Sequence, residues 1–375
     1  MTQRRPTFAF LFAVLVVAPA TACLCQAQTY GYINGSESLT SFDPSTGALV
    51  ASFNAGGTGK PFAVAKDDVT LYSPGGVISG PQEGQLSVVS GKTGQTLNSI
   101  LFASSGQKVL LTNDGSTLFV MSQGYPCQLI VVDSATLAVI AMATMTPPST
   151  IGDIALSPDN SKVYVSVSCE GSGNACLTST NICPLAKGVC ILDAGTLSLK
   201  GQVQSVNGLL AASEDGGSLY VTQGTQSGYG RLYTVNTQTL AVSERKGLQG
   251  QTNGAVIIDP VSHYGVVLQN NAQSSTTGYL LNTSTNQIVA ELFANAPGGA
   301  EAGGSAQNES VHPSNIAAFS ADGKSFWMLL QCSGPPSCTT PDNSIVALAG
   351  ISIPSGALIG EVAVPQDSSS IAFPQ

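Results

Sequence analysis

The sequence predicts an all-β fold, a seven-bladed β-propeller of four-stranded blades, on three observations. A strand–turn–strand unit recurs six times at blade-like spacing, no stretch holds a sustained helical apolar period, and the two ends of the chain supply complementary parts of one further unit.

The unit reads "AVAKDDVTLY", "VLLTNDGSTLFV", "IALSPDNSKVYV", "LAASEDGGSLYV", "VIIDPVSHYGVV" and "AAFSADGKSFWM". Aligned on Asp67, Asp114, Asp159, Asp215, Asp259 and Asp322, the copies lie 47, 45, 56, 44 and 63 residues apart. A propeller blade needs about 40–45 residues, and the surplus is loop. Each copy opens with an apolar strand, a, and reverses in a turn rich in Asp, Asn, Gly and Ser. It continues in a strand with aromatic or β-branched residues, b. A variable loop follows, then strand c, as in "QLIVVD", a short turn such as "DSAT", and strand d, as in "LAVIAMAT". The turns have a mechanism: Asp and Asn side chains cap their own backbone and Gly accepts positive φ. Gly, Ser and Thr dominate where a helix would need Ala, Leu, Glu and Lys.

The termini complete the ring. "TYGYING", "SLTSFD" and "ALVASFN" match strands b, c and d, and "SSSIAFPQ" at the other end matches a. Pairing three N-terminal strands with one C-terminal strand closes the propeller and removes its exposed edges.

Ahead of these strands, Arg4 and Arg5 precede an apolar run from Phe8 to Val17 and then the small residues of "APATA". This is the pattern of a secretory signal peptide, with cleavage expected after Ala27. Residues 1–27 are therefore assigned to the signal and 28–375 to a single propeller domain. The apolar run is about half the ~20 residues needed to cross a bilayer as a helix. The expected location is secreted, periplasmic or extracellular. Acylation at Cys23 is the alternative, weakened by Ala20 where a leucine is usual. Lys and Arg number 13 against 22 Asp and Glu, a net charge of −9, which leaves no basic surface for a phosphate backbone and excludes nucleic acid.

Cleavage after Ala27 leaves seven of the nine cysteines, an odd number in an oxidising compartment. Cys332 and Cys338 bracket "SGPPS" and are expected to bridge. Further disulfides are expected among Cys127, Cys169, Cys176 and Cys183, with the connectivity open. Cys190, inside the apolar run "GVCILD", reads as a buried thiol. The spacing of the series fits no zinc signature.

The motif "LSPDNSKVYVSVS", with weaker copies in "TNDGSTLFVMSQ", "SEDGGSLYVTQG" and "SADGKSFWMLLQ", resembles the bacterial YVTN-type β-propeller repeats, related to lactonase-like and cytochrome-cd1-like propellers. The resemblance spans residues 28–375. It implies the fold, whereas such propellers serve as enzymes, surface-layer parts and binding modules alike. The chain departs from WD40 propellers in having no Gly-His/Trp-Asp pair per blade, and its one tryptophan, Trp327, falls on a b strand.

Loop length separates the two rims. The a-to-b and c-to-d turns are short, whereas the insertions at 73–84, 169–187, 223–230, 294–315 and 331–343 are b-to-c or d-to-a loops, which share one rim. Loops on a rigid scaffold collect binding residues, so that rim is the expected ligand surface. Its candidate residues are Glu83, Tyr125, Glu170, Tyr229, Arg231, Arg245, Glu301, Glu309, His312 and Asp342. Catalytic motifs are absent: there is no G-x-S-x-G elbow, P-loop or H-E-x-x-H, and the two histidines, His263 and His312, cannot build a haem or three-histidine zinc site alone. No catalytic residue and no cofactor is predicted. The expectation is a monomeric binding or surface-associated module that takes a protein, glycan or other ligand at the long-loop rim. The alternative is a lactonase-like hydrolase in which rim carboxylates hold a divalent cation near the central channel.

Overall fold

The recurring turn divides the chain into sheets. A computed structural model of the chain describes residues 29–374 except 36–37, 55–59, 76–83, 123–126, 146–148, 170–182, 186, 224–230, 246–254, 260, 270–276, 293–316, 332–345 and 366–367. The described residues form seven four-stranded antiparallel sheets.

In the order a, b, c, d, blade 1 is Ser368–Ala372, Gly31–Gly35, Ser38–Phe42 and Leu49–Asn54, and blade 2 is Ala63–Val64, Thr70–Gly75, Gly84–Ser90 and Thr96–Phe102. Blade 3 is Gly106–Leu111, Thr117–Ser122, Cys127–Asp133 and Val139–Met145. Blade 4 is Ser149–Leu156, Lys162–Cys169, Lys187–Asp193 and Leu199–Gln204. Blade 5 is Leu209–Ala212, Ser218–Gln223, Arg231–Asn236 and Val242–Glu244. Blade 6 is Val256–Ile258, Tyr264–Gln269, Thr277–Asn282 and Gln287–Leu292, and blade 7 is Ala317–Phe319, Ser325–Gln331, Val346–Ser352 and Leu358–Val364.

Blade 1 is the closure expected from the termini. Tyr32 pairs with Ala372, Ile33 with Ile371 and Asn34 with Ser370, all antiparallel. Past strand a, Pro374 bridges to Val64 of blade 2. The core lies in the seams between blades. Phe119, Leu129 and Val131 of blade 3 pack with Ile154, Val163 and Val165 of blade 4, and each of the other seams has a comparable cluster. At the closing seam, Trp327 of blade 7 stacks edge-on to Phe42 of blade 1, 5.3 Å between centroids, and Phe42 does the same to Phe373 at 5.5 Å.

The a-to-b turns of blades 3, 4, 5 and 7 follow one device. In blade 4, Ser157 N–H donates to Lys162 O at 3.0 Å, Lys162 N–H donates to Ser157 Oγ at 2.9 Å, and Ser157 Oγ donates to Asp159 Oδ1. Asp159 Oδ1 also accepts from Ser161 N at 3.1 Å. Thr112 and Asp114, Ser213 and Asp215, and Ser320 and Asp322 repeat it. Donation to the carboxylate favours its charged form, so the Thr112 hydroxyl and Ser116 hold Asp114 down at about 2.

Blade 6 corrects the alignment on its aspartate. Asp259 N–H donates to Tyr264 O at 3.0 Å, which is the bond of Ser157 and not of Asp159. Here the carboxylate stands where the turns of blades 3, 4, 5 and 7 have Ser or Thr, accepting from Val261 N and from the Ser262 hydroxyl. That position is buried, and burial pushes the Asp259 carboxyl up, with Asp322 of blade 7 adding to the effect. Gly323 lies against it with φ +67°, and a Cβ there would meet Asp259 Oδ2 at 2.5 Å.

The c-to-d turns share a second device. Asp133 Oδ1 accepts from Ala135 N and Thr136 N, Asp193 and Asn236 do likewise, and the residue that ends the turn adopts positive φ. Gly47, Gly94 and Gly356 fill this position in blades 1, 2 and 7, but blades 3, 4 and 5 use Leu137, Leu197 and Leu240 at φ 56° to 60°. The left-handed backbone costs a leucine about 1–2 kcal/mol. Its compensation is burial: Leu137 and Leu197 sit in seam clusters, and Leu240 reaches toward Gly201 of blade 4.

Candidate functional site

An antiparallel meander puts the a-to-b and c-to-d turns at one end of every blade and the b-to-c and d-to-a connections at the other. Strand bounds therefore assign the segments 170–186, 293–316 and 332–345 to one rim, with 76–83, 123–126, 224–230, 246–254 and 270–276. Glu83, Tyr125, Glu170, Tyr229, Glu301, Glu309, His312 and Asp342 fall in these connections and lie outside the described residues, as do Cys176, Cys332 and Cys338.

Two of the rim candidates are described. Arg231 opens strand c of blade 5, exposed, with Nε 3.6 Å from Glu244 Oε1 and a bond from Nη1 to Tyr233 Oη at 3.4 Å. Arg245 follows strand d and is half-buried; its Nη1 donates to Asn286 Oδ1 at 3.3 Å, in the c-to-d turn of blade 6, so the guanidinium spans a seam. Cys127 begins a c strand and is buried, and Cys169 ends strand b of blade 4.

The structure corrects the reading of Cys190. Its sulfur is at disulfide distance from that of Cys183, with Cα atoms 5.8 Å apart. The apolar run does bury Cys190, but burial is the same for a thiol and a half-cystine. The bridge ties strand c of blade 4 to the end of the long 170–186 connection, and Gly188 admits the Leu185 side chain where a Cβ would clash at 2.6 Å.

At the other end, the a strands surround a central cavity of about 410 Å³. Residues of all seven blades line it, among them Leu110, Leu156, Leu210, Ala212, Ile258 and Pro374. Lys66, Asn113, Pro158, Glu214, Val261 and Ala321 come from a-to-b turns, so the cavity opens on the tight-turn rim. A second space of about 270 Å³ shares Lys108, Leu110, Leu210, Ile258 and Ala321 and continues along the axis toward Phe62 and Ile371.

Within these mainly apolar walls stands one ion pair. Lys108 Nζ of blade 3 lies 2.7 Å from Asp153 Oδ1 of blade 4 and donates to Ile154 O at 3.0 Å; the side chains are 11% and 1% exposed. Asp153 Oδ2 accepts from Leu210 N of blade 5 at 2.8 Å, so one carboxylate joins three successive inner strands. In both blades the register slips beside the charged residue, between Gly106 and Lys108 and between Ile151 and Asp153. Such bulges re-aim a side chain.

Sequence reasoning missed this pair although a signal existed. Lys108 and Asp153 both stand four residues before the Ser/Thr of their turns, Thr112 and Ser157, so the repeat itself aligns opposite charges on adjacent inner strands. At the mouth, Glu214 of blade 5 is bonded by His263 Nδ1 and accepts from Thr283 Oγ1 at 2.9 Å on each oxygen, both groups being from blade 6. The histidine, 67% exposed, thus clasps a seam. Among the described residues no group of three His, Cys, Asp or Glu side chains converges as a metal set would, and no helix is long and apolar enough to cross a membrane.

No protein-family model matches the sequence, and no curated protein matches it. Solved structures do match. A functionally unknown protein from Desulfotomaculum acetoxidans is 15% identical with a TM-score of 0.63, covering 92% of this chain and 99% of its own. Kuenenia stuttgartiensis hydrazine synthase is 15% identical with a TM-score of 0.57, covering 88% and 90%. The dihydro-heme d1 dehydrogenase NirN, solved with its ligand DHE, is 11% identical with a TM-score of 0.52, covering 92% and 75%. At such identities the likeness shows the propeller fold and nothing finer.

Proposed function

We propose that the protein is an exported, monomeric binding module of the YVTN-repeat kind, which takes a protein or glycan on the rim of its long b-to-c and d-to-a loops. The observation that carries this is asymmetry between the rims. The a-to-b and c-to-d turns are reduced to the same few bonded residues in nearly every blade, while the other rim carries connections such as 170–186 and 293–316. A scaffold braced in this way fixes where such loops begin and end, so the scaffold itself adds no ordering cost to binding. The Cys183–Cys190 bridge anchors the base of one of them. Export is supported by the Arg4–Arg5 pair and the apolar run that follows, and it suits the disulfide.

The test compares the mature chain with a variant in which 296–312 is replaced by a four-residue Gly-Ser linker, on glycan and peptide arrays. The expected result is a ligand bound by the first and lost by the second, with thermal midpoints within a few degrees. Ligand binding that survives the replacement would contradict the proposal, as would metal-dependent hydrolysis of a lactone by the purified protein.

A further inference from the structure

The central cavity belongs to the opposite face from the long loops, and its chemistry is specific. The inner strands present to it pairs of side chains two residues apart: Ile154 and Leu156 from blade 4, Leu210 and Ala212 from blade 5, Lys108 and Leu110 from blade 3. A volume of about 410 Å³ falls within the range of small-molecule sites, roughly 300–1,000 Å³. One polar group is offered deep inside. The Lys108 ammonium has three donors; Asp153 Oδ1 and Ile154 O take two, and no third partner exists among the described residues. Lys108 lines both the outer and the inner space, so its side chain borders the channel.

Charge decides what can occupy it. Asp153 already neutralises the ammonium at 2.7 Å, so an anion would gain one hydrogen bond while meeting a fixed carboxylate in low dielectric, and a cation would meet the ammonium. A neutral acceptor oxygen takes the third donor with neither penalty. We propose that this channel binds an uncharged, mainly apolar small molecule carrying one carbonyl acceptor, with the carbonyl on Lys108 Nζ and the apolar body between Leu110, Ile154, Leu210 and Ile258.

The probe is prodan, a neutral naphthyl ketone whose emission shifts to the blue on leaving water, titrated into the mature chain. Saturable one-to-one binding is expected, displaced by methyl octanoate and not by octanoate or octyltrimethylammonium at equal concentration. Ala212→Phe fills the cavity and is expected to weaken binding at least tenfold. Ala321→Phe, in the a-to-b turn at the mouth, gives the same reading if the first variant misfolds. The double variant Lys108→Met/Asp153→Asn removes the donor without stranding a charge, and about a tenfold loss is expected. Absence of saturable binding, full affinity in both blocked variants, full affinity in the double variant, or octanoate displacing prodan as well as its ester would overturn the proposal.

Discussion

The seam between blades 7 and 1 allows a sharp test of how the ring is locked. Trp327 is fully buried and its cross-strand partner is Gly350. A Cβ on Gly350 would stand 2.5 Å from Trp327 Cη2 and Cζ3, distances that real side chains do not tolerate, while Gly47 of blade 1 approaches the same edge of the indole. The indole N–H donates to Ser325 Oγ at 2.9 Å, which fixes the ring in this slot. Gly350→Ala should therefore act as an overpacking change and cost about 1–3 kcal/mol. Trp327→Phe deletes the ring atoms that meet Gly350 and leaves a cavity, again on the order of 1–3 kcal/mol. In the double variant the alanine methyl enters the space vacated by the indole, so the two costs should not add; a coupling of about 1–2 kcal/mol is expected, within the range for residues in contact. Urea unfolding followed by far-UV circular dichroism reads this as shifts of midpoint at constant slope. Additivity within about 0.5 kcal/mol would refute the packing argument, because it would mean that the indole does not occupy the space over Gly350.

Three further outcomes follow from the same structure. Lys108→Met strands the Asp153 carboxylate, which is 1% exposed, and should lower stability by about 3–5 kcal/mol, with Lys108→Met/Asp153→Asn recovering part of the loss in the same urea assay. Burial pushes the phenols of Tyr32, Tyr164 and Tyr220 up to about 12, against about 10 unfolded. The stability they contribute is complete below about pH 10 and drains away as pH rises toward 12, so up to three protons should be released on unfolding there, seen as a steep fall in thermal midpoint together with late tyrosinate absorbance. Leu137→Gly and Leu197→Gly relieve a left-handed leucine but expose seam area, and should destabilise by about 1–2 kcal/mol net, whereas Leu240→Gly, less buried, should be near neutral by thermal unfolding.

Most of the fold was legible because a propeller repeats its local instructions. A hydroxyl, an aspartate two residues on and an aromatic strand after them recur in "LSPDNSKVYV" and its copies, and each part has a bonding role that the structure displays. The closing blade was legible for the same reason, since strand a at one end and b, c and d at the other are fragments of a known pattern. Asp259 misled because one carboxylate took over the position of the serine, so a landmark chosen by residue type slid by two positions while the backbone bond stayed where it was.

The candidate site divides along a physical line. Residues whose neighbours are set by the repeat can in principle be placed from sequence, and Lys108 with Asp153 is the case in point: each alone is a stray charge in an apolar strand, and only superposition of the blades brings them to one height on adjacent inner strands. Residues on the long connections have no such ruler. Glu83, Glu170 and Asp342 belong to segments whose length and composition differ from blade to blade, so nothing in the spacing aligns one with another. Cys183 shows the consequence at close range, because its partner Cys190 lies on a repeat strand with a predictable position while Cys183 comes from the irregular connection, and a bridge can be foreseen only when both ends are fixed. The tight-turn face is thus readable from the repeat, whereas the long-loop face is decided by chain that the repeat does not control.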